Sequence, residues 1–92
     1  MKFGHRDRLF RAICERYNVT SAKLTGPQRD IFKARAVLCW LLRRHGFSYP
    51  QIGMFLKRDH TTIINAVKRA QGMIDADANL AAFCAAQIEG DE

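Results

Sequence analysis

The sequence predicts an all-α protein, a compact helical bundle of about five or six helices that includes a helix-turn-helix. Apolar residues recur at three- and four-residue spacing through most of the chain, and strand-like alternation is weak throughout. Helix-stop and helix-start residues punctuate that pattern. Near the C-terminal third, a short apolar segment meets a longer one with a polar outer face across a tight cationic turn, Lys57 and Arg58. At 92 residues, a single domain spanning 1–92 is expected, with an acidic C-terminal segment at 73–92. No internal repeat or low-complexity run interrupts it.

The first helix is predicted from about His5 to Tyr17, where Leu9, Phe10, Ile13, Cys14 and Tyr17 make one apolar stripe. Asn18 is placed to end it. A short turn around Thr20 to Leu24 follows, with Thr20 or Ser21 as cap, and "TGP" (Thr25 to Pro27) breaks the chain. A second long helix is predicted from about Gln28 to Arg44. Ile31, Phe32, Leu38, Leu41 and Leu42 form its expected core face, and Trp40 is read as core. Gly46 is a natural C-terminal cap. Ser48 and Gln51 have capping-box spacing, and Pro50 falls in the first turn, where its missing N–H does no harm. That helix ends near Leu56. Asp59 is the expected N-cap of a helix from His60 to about Met73. Its core side is Ile63, Val67, Ala70 and Ile74; His60, Thr61, Asn65 and Lys68 point away, with Ile64 at the edge. A last helix is predicted over Ala78 to Ile88.

Charge is unevenly distributed. Residues 1–72 hold all 15 lysines and arginines and four acids, a formal +11. Residues 73–92 hold five acids and no cation, which brings the whole to +6. A basic body of this kind fits a polyanion, nucleic acid before membrane, with a merely solubilising surface as the plain alternative. The acidic segment can shield that face, dock a replication or transcription protein, or hang in solvent. The longest apolar run, Ala36 to Leu42, is too short to cross a bilayer. The N-terminus lacks the apolar stretch of a secretion signal, so a cytoplasmic, nucleoid-associated protein is expected. Cys14, Cys39 and Cys84 are widely spaced without a CxxC and read as small core residues. Neither His5, His45 nor any cysteine has metal-ligand spacing to His60, and no base–nucleophile constellation is visible. No metal, cofactor or catalytic function is therefore expected.

The segment "KRDHTTIINAVKR" (Lys57 to Arg69) suits DNA. The second helix of a helix-turn-helix enters the major groove N-terminus first, presenting backbone N–H groups and partial positive charge. Thr61 and Thr62 offer hydroxyls to bases or phosphates, His60 can donate to a purine N7, and Asn65 can pair with adenine. Lys57, Arg58, Lys68 and Arg69 can hold phosphates on either side, and Lys33 can do so from the second long helix. The plainer readings are a helix-start histidine and solvated cationic faces.

"RDHTTIINAVKR" resembles the signature of the C-terminal DNA-binding domain (domain IV) of DnaA, the bacterial replication initiator. The upstream "ARAVLCWLLRRHGFSYPQIGMFLKRDHTT" is similar to that family's run of basic helix, PxIG helix and DHTT turn. The resemblance covers about Thr20 to Ala70. It implies a Trp-repressor-like all-helical fold that binds an asymmetric nonamer as a monomer, or here a monomer or weak dimer. By position it implies base contacts from Asp59, His60 and Thr61, a backbone or base contact from Thr62, a phosphate anchor at Arg35 and a minor-groove arginine at Arg29. Arg29, Lys33 and Arg35 can also be only a solvated helix face. This chain departs from the pattern in four places. It has one arginine in the loop, Ala36 where a glutamine is usual, a turn one residue shorter, and Asn65 where a histidine is common. There is no GxxxxGK[ST] phosphate loop and no room for an ATPase domain. The expectation is a stand-alone sequence-specific reader of double-stranded DNA, a transcription regulator or a replication-linked factor. The alternative is a protein-interaction module or initiator antagonist that uses the acidic segment and Ile64.

Overall fold

A computed structural model describes residues 2–27 and 31–89. Six helices follow in order: α1 Lys2–Tyr17, α2 Ser21–Thr25, α3 Phe32–Arg44, α4 Tyr49–Leu56, α5 His60–Ala76 and α6 Ala78–Glu89. The described residues contain no strand. The predicted all-α bundle is therefore observed.

Helix α3 is the axis of the core. Nine consecutive residues, Ala34 to Leu42, are buried. A helix apolar nearly all round has to be surrounded, and α3 packs against α1, α4, α5 and α6. Leu38, Leu41 and Leu42 are fully enclosed, as are Leu9 and Ile13 of α1, Leu24 of α2, and Ile52 and Leu56 of α4. Each such aliphatic chain contributes about 1.5–3 kcal/mol by leaving water. Trp40 is buried with its Nε1–H on Gln71 Oε1 at 2.9 Å, which satisfies the indole as it enters the core. Burial pushes the Cys39 thiol up to about 12 and the Cys84 thiol up to about 11, against a smaller opposing pull from nearby arginines. Both are buried core residues, and Cys14 packs half-buried against the core.

The punctuation mostly follows the sequence. Asn18 (φ 54°) ends α1 in the left-handed region, and Gly46 (φ 95°) stands in that region just past α3. Thr20 caps α2 by accepting from Lys23 N–H at 3.3 Å. Ser48 and Gln51 close a reciprocal capping box, with Gln51 N–H on Ser48 Oγ at 3.2 Å and Ser48 N–H on Gln51 Oε1 at 2.8 Å.

Several elements differ from expectation. Phe32, read as core, is 41% exposed at the first turn of α3. Its position faces an open cleft rather than the α1 side. The described part of that helix begins at Phe32 after Ile31, and Gln28 to Asp30 lie outside the described residues. Asp59 holds the N-cap position of α5 but makes no side-chain cap bond. The last helix, by contrast, forms where it was predicted, running one residue further to Glu89 as α6 and burying Leu80 and Cys84. Asp77 caps α6, accepting from Asn79 N–H at 3.0 Å and Leu80 N–H at 3.2 Å. First-helix arginines receive it: Arg8 donates to Gln87 O at 3.0 Å, and Arg16 lies 4.6 Å over Phe83.

The turn between α4 and α5 depends on a close backbone approach. Lys57 adopts the left-handed conformation (φ 56°), and Arg58 N–H returns to Gly53 O at 2.9 Å. A Cβ on Gly53 would stand 2.6 Å from the Arg58 carbonyl oxygen, a backbone atom that cannot swing aside. Gly53→Ala is expected to lower stability by about 1–3 kcal/mol in urea denaturation. Gly72→Ala, mid-helix with nothing within 4 Å, is expected to raise it by roughly 0.5–1 kcal/mol. Equal midpoints for Gly53→Ala and the parent would rule out the close approach.

Candidate nucleic-acid interface

The α5 helix presents its first two turns outward because Ile63, Ala70 and Ile74 commit the opposite side to the core. At 100° per residue this leaves Thr61 and Asn65 near the centre of the outer face. His60, Thr61, Thr62 and Asn65 are all exposed, as expected, and the structure gathers them with Asp59 at one helix end. The His60 side chain is 58% exposed, with Nδ1 3.6 Å from Asp59 Oδ1. The carboxylate that does not cap the helix thus stands beside the imidazole. Ile64 is half-buried at the rim, as the helix phase requires.

The cations divide into two groups. Lys33, Lys57, Lys68 and Arg69 are exposed. Arg35 and Arg58 turn inward. Arg35 is buried, donating through Nε to Leu24 O at 2.9 Å and through Nη2 to Lys23 O at 3.2 Å and Gly26 O at 3.3 Å. Arg58 is half-buried, with Nη1 3.2 Å from both Leu56 O and Lys57 O, and its Nη2 also reaches Gly26 O. The arginine expected to anchor phosphate is instead directed at carbonyls of α2 and of its C-cap Gly26. Both guanidinium groups bind the Gly26 carbonyl and so tie the end of α2 to the turn before α5. Arg29 itself lies outside the described residues. At the end of α3, Arg43 donates to Phe47 O at 3.2 Å and lies 4.9 Å over Tyr49, and Arg44 lies 4.9 Å over Trp40.

Beside the polar row lies a cleft of about 440 Å³ between α3 and α5. Phe32 and Ala36 line one wall; Thr62, Asn65, Ala66 and Arg69 line the other, and Arg35 and Arg58 also border it. The Arg69 guanidinium sits 5.6 Å over the Phe32 ring. Sequence reasoning placed Phe32 in the core and so missed this wall. The only signal available was its position at a helix start next to a loop. Among the described residues, no group of three histidines, cysteines or acids could hold a metal ion.

Comparison with known proteins agrees with this geometry. Residues 6–70 match the family described as bacterial dnaA protein helix-turn-helix. The chain belongs to that family. It is 33% identical over 75 residues to the chromosomal replication initiator protein DnaA of Mycoplasma genitalium, covering 78% of this chain and 17% of that protein. It is 35% identical over 79 residues to DnaA of Xanthobacter autotrophicus, covering 82% and 16%. It is 36% identical over 75 residues to DnaA of Thermomicrobium roseum, covering 77% and 16%. The chain thus spans about a sixth of the length of the curated relatives it matches. No solved structure matches. Membership in a DnaA helix-turn-helix family supports DNA binding. No described helix is long and apolar enough to cross a membrane.

The inward arginines give a test in the unliganded protein. Hydrogen bonds from a charged group contribute about 1.5–3 kcal/mol, so Arg35→Ala is expected to lose stability on that order in urea denaturation. Arg35→Lys is expected to recover little, because one ammonium cannot reproduce a planar fork set on three carbonyls. Lys68→Ala, on the exposed face, should stay within roughly 0.5 kcal/mol of the parent. An Arg35→Lys protein as stable as the parent would show that the fork is not needed.

Proposed function

We propose that this chain is a small reader of double-stranded DNA, sequence-specific, acting as a transcription regulator or a replication-linked factor with no ATPase activity of its own. One observation carries the reading. Asp59, His60, Thr61, Thr62 and Asn65 stand together at the exposed N-terminal end of a helix whose other side is locked into the core. A rigid helix end with donors and acceptors in a row matches base edges and phosphates in the major groove. In this reading Asp59, His60, Thr61 and Asn65 contact bases, with Arg29 as the minor-groove arm. Thr62, Lys33, Lys57 and Lys68 contact phosphate. Arg35 and Arg58 contribute through the loop they anchor as well as by their charge. The chain reads its site as a monomer or weak dimer, forms one domain over residues 1–92, and associates with the nucleoid.

Selection from a random duplex pool, followed by anisotropy titration, tests this. His60→Ala and Thr61→Ala are each expected to cost about 1–3 kcal/mol on the selected site and far less on bulk DNA. Lys68→Ala is expected to weaken both duplexes alike and to lower the salt slope by about one. Selection that enriches no sequence at moderate salt would refute specific reading. A second reading, a protein-interaction module or antagonist of the replication initiator, draws support from Met54, 72% exposed on α4. It requires the double variant His60→Ala, Thr61→Ala to keep full cellular activity, which DNA reading forbids.

A further inference from the structure

A helix lying in the major groove, about 12 Å wide, is flanked on both sides by a sugar–phosphate strand. In a helix-turn-helix the first helix crosses one of these strands, a role that falls here to α4. The other strand must pass the remaining flank of α5. The phase of α5 puts Thr62, Ala66 and Arg69 along one edge and His60, Ile64 and Lys68 along the other. The Thr62 edge is the one that forms a wall of the cleft, with the first turn of α3 opposite.

Two features of that cleft need an occupant. Phe32 keeps 41% of its surface in water at the first helical turn. Arg69 is exposed, rests on the face of that ring, and has no carboxylate partner among the described residues. An apolar plate beside an uncompensated guanidinium and a hydroxyl matches the alternation of deoxyribose and phosphate. A stacked base is a poorer match, because a duplex offers no unpaired base to an aromatic ring.

We infer that the Phe32–Arg69 cleft seats the second sugar–phosphate strand, with the Phe32 ring against a deoxyribose and Arg69 and Thr62 on the flanking phosphates. This rests on the DNA-reading function proposed above and extends it to a residue outside the polar row. The seat sets affinity and register, not base choice, since it touches only backbone.

Anisotropy titrations across a salt series, on the selected duplex and on a bulk duplex, test the inference with Phe32→Ala, Phe32→Leu and Arg69→Ala. Phe32 and Arg69 are exposed, and thermal melting should show each variant folded. Phe32→Ala is expected to weaken both duplexes by the same factor, about tenfold, as partial burial of a phenyl ring implies. Its salt slope should not change. Phe32→Leu should recover part of the loss. Arg69→Ala should lower the salt slope by about one. In a walk of single neutral methylphosphonate linkages, one linkage should weaken the parent and leave Arg69→Ala unaffected. Parent-like affinity for both Phe32→Ala and Arg69→Ala would overturn the seat while leaving DNA reading intact. So would a Phe32→Ala protein that changes the order of preferred bases. A parent that binds no duplex would overturn both.

Discussion

Two guanidinium groups meet on one carbonyl oxygen, that of Gly26, and the relation between the parts of this protein depends on that meeting. Arg35 reaches it from the central helix α3, and Arg58 from the turn that launches α5. Arg35 also donates to the Lys23 and Leu24 carbonyls, and Arg58 to those of Leu56 and Lys57. These oxygens lie at helix ends, where backbone acceptors lack intrahelical partners. The planar fork of arginine is suited to collecting several of them at once. Bringing two like charges to one point costs Coulomb energy, which the concentration of carbonyl dipoles offsets. The end of α2 is thereby held to the helix that presents His60 and Thr61.

A second constraint works on charge. The five acids of the C-terminal segment lie apart from the cationic body in sequence, yet much of the segment returns to it as α6. Arg8 and Arg16 of α1 are receiving groups, through hydrogen bonds to Gln87 and Asn79 and a ring contact with Phe83. Asp77 is used up as a helix cap, and Asp75 accepts from Gln71 Nε2 at 3.0 Å. Cations on the α5 face therefore stay available while part of the acidic charge is fixed elsewhere. The protein keeps the asymmetry that favours a polyanion and gains two buried residues, Leu80 and Cys84, for its core.

Much of the fold was legible because local chemistry and burial agree. The capping box at Ser48, the left-handed Gly46 and the stripe Ile63–Val67–Ala70 each specify their element within a few residues, and the bundle satisfies all of them. The readings that failed involve side chains with two acceptable environments. Phe32 shares the helical phase of core residues, but at the first turn of α3 it lines the cleft beside α5 and stays exposed. Asp59 occupies a cap position, yet its carboxylate stands beside His60. Arg35 belongs to a cationic pattern, but it stands inside a run of buried residues, and its guanidinium turns to the carbonyls of Lys23, Leu24 and Gly26.

The sequence by itself determined the helical class, the helix-turn-helix and the polar row from Asp59 to Asn65. Those follow from periodicity, caps and spacing, all of which act within a few residues along the chain. Only the tertiary structure decided which cations face solvent, that the last helix returns onto the arginines of α1, and that Phe32 opens onto a cleft beside α5. Each of those depends on which groups distant in sequence come to share one space, and such proximity is set by packing rather than by any local pattern.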